Sequence, residues 1–204
     1  MNQLNKLISK DLLIGLPKLK FEKDHICEAC QKGKQVKNSF KLKNVVSSSR
    51  PLELLHMDLF GPSRTMSLGG NYYALVIVDD FSRYTWTLFL ESKSDAFSAF
   101  KKLARALQNT RNFSIGSIRS DHGGEFQNEK FSKFCEKTRI LNNFSAPRTP
   151  QQNGVVERKN ISLEELARTM LSESALPKYF WVDAVSTFCY VMNRVLIEST
   201  TRGS

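Results

Sequence analysis

Residues 72–90 read YYALVIVDDFSRYTWTLFL, two runs of β-branched and aromatic residues around a polar turn. Runs of this kind, at 72–78 and 85–90, are typical of two antiparallel strands joined as a hairpin. A third apolar run at 54–59 precedes them and stops at Gly61 and Pro62. Because Gly and Pro interrupt strands, the sequence predicts three successive strands here.

The residues after the hairpin predict helices that alternate with short strands. Ser92 and Asp95 form a capping-box pattern, which is typical of a helix start. Two short strands, 117–120 and 141–145, flank a predicted helix over 128–138, and the apolar periodicity predicts two more helices, about 153–172 and 178–196. The order βββαβαβαα predicts an α/β fold with a mixed five-stranded sheet and flanking helices.

Length and composition allow one folded domain with an appendage, or two very small domains. The chain has 204 residues, of which 41% are hydrophobic and 25% charged, and no apolar run is long enough to span a membrane. Its net charge is +10, and residues 1–50 hold 11 Lys and Arg against 4 Asp and Glu. A basic arm of this kind favours a polyanionic partner such as nucleic acid. The alternative is a solvated Lys-rich tail without a specific role.

Three acids stand at positions where a fold of this order can bring them together. Asp58 lies near the end of the first predicted strand, Asp121 directly follows the fourth, and Glu157 opens the long helix. Carboxylates from neighbouring strands and a helix repel one another unless cations neutralise them. Carboxylate oxygens suit Mg²⁺ or Mn²⁺, and a pair of such ions can assist phosphoryl transfer. The helical projection also places Glu157 off the apolar face that contains Val156 and Leu163.

The first 46 residues predict a small separate module. Cys27 and Cys30 have the spacing of half a tetrahedral zinc site. His25 could donate a third ligand; the alternative is an ordinary exposed loop residue. The three consecutive serines that follow predict a linker over 47–53, so the core is predicted to span 54–204.

Taken together, these residues resemble the integrase region of copia-type (Pseudoviridae) retrotransposon Pol polyproteins, particularly those of plants. The resemblance is carried by CEACQKGK at 27–34, the strand with Asp58, the DFSR turn at 80–83, the turn with Asp121 and the run 146–160. It implies a ribonuclease H-like fold and metal-dependent DNA strand transfer. It also implies that Asp58, Asp121 and Glu157 are the catalytic metal ligands, holding two Mg²⁺ or Mn²⁺ ions.

The resemblance implies partners and a location as well. The partners would be double-stranded DNA, both element ends and target, and further copies of the chain in a dimer or larger assembly. The location would be the host nucleus, after a cytoplasmic particle stage. Arg148, Lys159 and Asn160 are candidates for DNA contact. For Arg148 the alternative is a plain surface residue, and for Lys159 a solvated charge whose stem covers apolar surface.

Three features depart from the family pattern. The two histidines that complete the family's His-His-Cys-Cys site are missing, so we expect Zn²⁺ to bind weakly or not at all. Ile161 stands where the family usually has Lys or Arg. We also expect that the chain stops before a further DNA-binding region. These departures favour one alternative, an inactive or domesticated DNA-binding remnant. A further alternative is a metal-dependent nuclease, because the resemblance implies the fold and acids with which ribonucleases H hydrolyse RNA.

Overall fold

The computed structural model describes residues 47–111, 114–121, 123–144 and 154–194. The predicted module over 1–46 lies outside these residues, and so do Cys27, Cys30 and the candidate DNA contact Arg148. Their roles stay predictions.

A five-stranded sheet forms the centre of the molecule. Its strands are β1 (Leu54–Phe60), β2 (Tyr73–Asp79), β3 (Thr85–Leu90), β4 (Ser117–Ser120) and β5 (Leu141–Phe144). Their spatial order is β3-β2-β1-β4-β5. The pairs β1–β2 and β2–β3 are antiparallel, whereas β1–β4 and β4–β5 are parallel. The predicted mixed sheet, including the 72–90 hairpin, is therefore confirmed.

In the described part of the chain, four α-helices flank the sheet: α1 (Ala96–Arg111), α2 (Glu129–Thr138), α3 (Gly154–Glu173) and α4 (Trp181–Arg194). The predicted capping box is present, since the Ser92 N–H donates to the Asp95 carboxylate over 3.0 Å. It begins a single 3-10 turn that leads into α1. The Asn128 side chain caps α2 by accepting from the Phe131 N–H over 2.9 Å. The predicted helices thus form within one to three residues of their expected bounds.

The sheet separates two apolar cores. Leu75 and Ile77 of β2 pack with residues of α1 and α2, whereas Val76 and Val78 pack with residues of α3 and α4. This division follows from the alternation of side chains along a strand. On β1, Leu55 and Met57 belong to the first core, so the side chains between and beyond them face α3. Asp58 therefore lies on the face of the sheet that α3 covers.

Residues 47–53, predicted as a linker, are part of the folded core. Leu52 is 4% exposed, and its N–H donates to the Asp79 carboxylate over 2.9 Å. Ser49 donates to Glu53 through both its N–H and its hydroxyl. The Leu52 contact ties the segment to β2 and the Ser49 contacts lie within the segment, while the domain boundaries stay a prediction.

Cys135 and Cys189 are buried free thiols, as their positions on apolar helix faces predicted. None of the helices in the described residues combines the length and apolar character needed to cross a membrane.

Candidate active site

The pairing of β1 with β4 brings Asp58 and Asp121 to the same end of the sheet. The parallel register pairs Leu54 with Ser117 and His56 with Arg119. Continued by two residues, this register sets Asp58 beside Asp121, which directly follows β4. Asp121 is exposed, and its carboxylate accepts from the Gly123 N–H over 3.2 Å.

The third acid, Glu157, lies in the first turn of α3 and is half-buried. A carboxylate in this position is stabilised by the partial positive charge of the helix N-terminus. The fully buried side chains of Val156 and Leu163 hold α3 against the sheet. Glu157 is therefore carried to the same end of the sheet as Asp58.

The charges of Asp121 and Glu157 both influence the ionisation of Asp58. Burial raises the pKa of Asp58 to about 6, the Leu59 N–H opposes that rise, and the charges of Asp121 and Glu157 add to it. Like charges disfavour the ionised form of a carboxyl group in this way. The site is thus an acidic end of the sheet, and a bound cation would reduce the repulsion between its three carboxylates.

Asn160 makes the most direct contact with these acids. Its side-chain N–H donates to Asp58 Oδ2 over 2.7 Å, and the residue is only 6% exposed. Asn160 follows Glu157 by three positions, which sets both on one side of α3. Its Oδ1 is buried and has no hydrogen-bond partner among the described residues. The structure places this candidate DNA contact against Asp58, so any contact with DNA stays a prediction.

Lys159 is directed away from the three acids. Burial lowers the pKa of its ammonium group, and the groups that act on its charge are Cys189 of α4 and Arg83 of the β2–β3 turn. Ile161, two positions after Lys159, is 46% exposed, as the helical projection predicted. The structure therefore does not bring Lys159 to Asp58, and its role in DNA contact stays a prediction.

A buried polar cluster lies on the same face of β1 as Asp58, and the sequence analysis did not predict it. His56 Nε2 lies 3.1 Å from Asp80 Oδ1, and Arg83 donates to the same oxygen over 3.1 Å. Ser47 and Ser48 donate to Asp80 Oδ2 through their N–H groups and hydroxyls. Burial would raise the pKa of Asp80, but these hydrogen bonds lower it to about 2. Burial also lowers the pKa of His56, against the effect of Asp80.

The available ligands fit a hard divalent cation in their chemistry. Asp58, Asp121 and Glu157 offer only carboxylate oxygens, which Mg²⁺ and Mn²⁺ prefer. Within the described ranges, no three His, Cys, Asp or Glu side chains are gathered as a ready metal-ligand cluster. The acids share one end of the sheet, and their assignment as catalytic metal ligands stays a prediction.

Comparison with known proteins defines the class. A model of the integrase core domain family matches residues 48–150. The Pol polyprotein of transposon TNT 1-94 from Nicotiana tabacum is 38% identical over 171 residues, which are 82% of this chain and 13% of that protein. The Pol polyprotein of transposon RE1 from Arabidopsis thaliana is 34% identical over 94% of this chain and 13% of its own length. The chain therefore belongs to the integrase core domains of copia-type retrotransposon Pol polyproteins.

Solved structures share the fold. The simian T-cell lymphotropic virus intasome, solved with PP2A regulatory subunit B56 gamma, matches with a TM-score of 0.61 and 21% identity over 88% of this chain and 62% of that chain. The HTLV-2 integrase catalytic core domain, solved with magnesium, matches with a TM-score of 0.51 and 22% identity over 69% of this chain and 84% of its own. These matches confirm the predicted ribonuclease H-like fold. The chain spans about 13% of the first two curated relatives named above, so it is compared with one part of each.

Proposed function

We propose that this chain is the catalytic core of a retrotransposon integrase, which joins element DNA to target DNA. The observation that carries the proposal is the crowding of Asp58 by the charges of Asp121 and Glu157 at one end of the sheet. A bound divalent cation stabilises neighbouring carboxylates that otherwise repel one another. Membership of the integrase core domain family supports the same reaction class.

Asp58, Asp121 and Glu157 would hold Mg²⁺ or Mn²⁺, in one or two positions. When bound, such ions stabilise charge on the attacking and leaving oxygens of phosphoryl transfer. The HTLV-2 catalytic core, which is solved in complex with magnesium, supports this assignment. The partial Zn²⁺ site predicted at Cys27 and Cys30 is a separate site and plays no part in the proposed reaction.

The chain's own residues prepare Asp58 for that role. The Asn160 amide donates to Asp58 Oδ2 over 2.7 Å, which fixes the orientation of the carboxyl group. At neutral pH a carboxyl group with a pKa of about 6 is mostly ionised, so Asp58 can act as an anionic ligand. In the proposed reaction a 3′-hydroxyl of element DNA forms a new bond to a target phosphorus, and the bond to the target 3′-oxygen breaks.

The proposed partners are double-stranded DNA and further copies of the chain. Residues 1–50 carry most of the surplus positive charge, which supports contact with DNA phosphates. The related simian viral intasome and the dimeric and trimeric forms of the HTLV-2 core support a dimer or larger assembly. The host nucleus, where target DNA lies, is the proposed site of action.

A second candidate function is a DNA-binding remnant that cannot complete strand transfer. The observation that favours it is the exposure of Ile161, which presents an apolar side chain four positions after Glu157. The copia-type pattern usually has a basic residue at this position. A remnant would bind DNA through its basic arm and lack both joining and cutting activity.

The test is a set of assays on the full chain with Mn²⁺, using labelled element-end DNA and plasmid target. We expect joined products from the wild type, none from Asp121→Asn, and wild-type levels from Asp183→Asn, an exposed acid on α4. Cutting of DNA without joining would instead assign a nuclease. Binding without either reaction would assign the remnant and overturn the proposed activity.

A further inference from the structure

The loop between β1 and β2, residues 61–72, lies at the end of the sheet that holds the three acids. β1 ends two residues after Asp58, so the loop begins directly beyond the candidate active site. The Ser63 N–H donates to the Tyr72 carbonyl over 2.7 Å, which keeps the two arms of the loop together. The loop therefore continues the β1–β2 hairpin past the acids.

A tight turn fixes the tip of this loop. The Gly70 N–H donates to the Ser67 carbonyl over 3.0 Å, and Gly70 has a φ of 80°, a conformation that glycine adopts without strain. The Ser67 hydroxyl accepts from the Asn71 N–H over 2.9 Å, and Ser67 itself is only 4% exposed. The tip is thus a defined structure that is held by its own hydrogen bonds.

Exposure alternates along the first arm in the reverse of the usual sense. The hydroxyl side chains at positions 63, 65 and 67 are partly or fully buried. The exposed side chains are one cation and two apolar groups, Arg64, Met66 and Leu68, which we call the outer face of the loop. Met66 is 50% exposed and Leu68 67%. Because apolar side chains normally turn towards the core, this reversal is typical of a surface that a partner covers.

The charge of the loop favours a polyanionic partner. Residues 59–78 contain no Asp or Glu, and Arg64 is their single charged residue. Proteins that bind the minor groove of DNA combine Arg with apolar side chains such as Leu and Met, which pack against a base step. The outer face therefore has the composition of a surface that contacts duplex DNA.

The outer face is also within reach of DNA at the candidate active site. Arg64 follows Asp58 by six residues and Leu68 follows it by ten, so they lie at most about 20 and 33 Å from Asp58. These distances correspond to about six and ten base pairs of duplex. A target duplex continues past the reacting phosphate in both directions, whereas an element end stops at the reacting hydroxyl. Target DNA can therefore reach the loop in either orientation.

We propose that the outer face of the β1–β2 loop binds target DNA beside the reacting phosphodiester. This inference rests on the proposed function. Arg64 contacts a phosphate, which adds affinity without sequence preference. Leu68, supported by Met66, packs against a base step in the minor groove and favours steps that deform easily. The loop thus influences where element DNA is joined.

Sequencing of joined sites tests the role of Leu68. The assay uses the full chain with Mn²⁺, element-end DNA and a plasmid target. The wild type should prefer certain base steps within about ten base pairs of the joined phosphate, and Leu68→Ser should lose that preference. The matched control Leu141→Ser replaces a leucine that is also 67% exposed, at the start of β5 and the opposite end of the sheet from Asp121. It should keep the wild-type preference.

Arg64→Ala should change the affinity for target DNA instead. We expect joining at low target concentration to fall by roughly three- to tenfold, equally for all target sequences, because a phosphate contact carries no sequence information. Joining should recover at saturating target. Arg105→Ala removes an exposed cation of α1 and is the control, with wild-type joining at both concentrations.

A contact measurement separates this inference from the proposed reaction. In the full chain with methyl-labelled methionine, the Met66 methyl signal, assigned with Met66→Leu, should shift when a duplex without element sequence is added. The signal of Met57, which is buried in the first core, should not shift. A Met66 shift without any joined product would support the contact and overturn the proposed function. An unchanged Met66 signal, or equal preferences in Leu68→Ser and Leu141→Ser, would overturn the contact even where the wild type joins DNA.

Discussion

Asp58 is the acid whose ionisation opposes folding, because its charge is buried and faces two further carboxylates. Its folded pKa of about 6 lies above the unfolded value of 3.8. The folded state therefore binds the proton more tightly, and stability rises as the pH falls from above 6 towards 4. Asn160 offsets part of this cost with its 2.7 Å hydrogen bond.

Asp58→Asn should stabilise the protein when divalent ions are absent. At about pH 8 with a chelator, we expect a gain of about 1–2 kcal/mol in the free energy of unfolding, measured by urea denaturation. The gain should shrink as the pH is lowered towards 4, because wild-type Asp58 is then protonated in the fold. Asp183→Asn serves as the control and should change little. A loss of stability at about pH 8 would identify Asp58 as a structural acid.

Asn160→Ala should lower the free energy of unfolding, in contrast to Asp58→Asn. The substitution leaves the buried Asp58 oxygen without its donor, which costs about 1–3 kcal/mol when the carboxylate is charged. We expect this loss in urea denaturation at about pH 8 and a smaller loss near pH 4. Asn143→Ala, at an exposed position of β5, is the control. If both variants behave alike at the two pH values, the hydrogen bond to Asp58 contributes nothing measurable.

At the scale of the elements, the turn between β2 and β3 binds the residues that precede β1. Asp80 accepts from Ser47, Ser48, His56 and Arg83, although it lies 33 residues from Ser47. Its depressed pKa means that its stabilising effect is present above the unfolded value of 3.8 and is lost as the pH falls towards 2. The turn thus joins three separate parts of the chain.

Asp80→Asn should destabilise the core by about 2–4 kcal/mol, because it removes a buried charge that four residues bind. Thermal unfolding at neutral pH measures the loss. The difference from the wild type should narrow below about pH 4, where wild-type Asp80 begins to lose the same contacts. An effect as small as that of Asp183→Asn would show that the hydrogen bonds to Asp80 do not stabilise the fold.

At the scale of the whole molecule, the basic arm and the acidic site lie in separate parts of the chain. Residues 1–50 carry 11 of the 30 Lys and Arg residues, whereas the described core holds the three acids at one end of the sheet, near the ends of β1 and β4. Phosphate contacts by such an arm release counterions, so DNA binding should be salt-sensitive and largely independent of sequence. Under the proposed function, the arm would set the affinity for DNA and the core would hold the reacting groups.

Removal of residues 1–46 should reduce DNA affinity and flatten its dependence on salt, while the core stays folded. Removal of residues 1–53 should also unfold the core, because it deletes buried Leu52 and the serines bound to Asp80. Fluorescence anisotropy over a range of salt concentrations and circular dichroism measure the two effects. Equal affinity of the full chain and the 1–46 deletion would mean that DNA contacts the core instead.

The sequence by itself determined the order of the helices and strands and which of their side chains are exposed at positions such as Ile161. Alternation and helical periodicity act over a few residues, so the hairpin, the capping box at Ser92 and the exposed position of Ile161 follow from local patterns. The three acids could likewise be selected because they stand at strand ends and at a helix start. Their resemblance to the integrase pattern added the reaction class that the family match supports.

Only the tertiary structure decided which of these residues meet. Asn160 contacts Asp58 across 102 positions of sequence, while the adjacent Lys159 turns towards α4. Likewise, residues 47–53 read as a linker because serines are common in linkers, yet Asp80 and Asp79 bind them. Contacts of this kind depend on how strands pair and on which face of a helix packs against the sheet. Those choices are made by burial and hydrogen bonding between distant segments, and no local pattern encodes them.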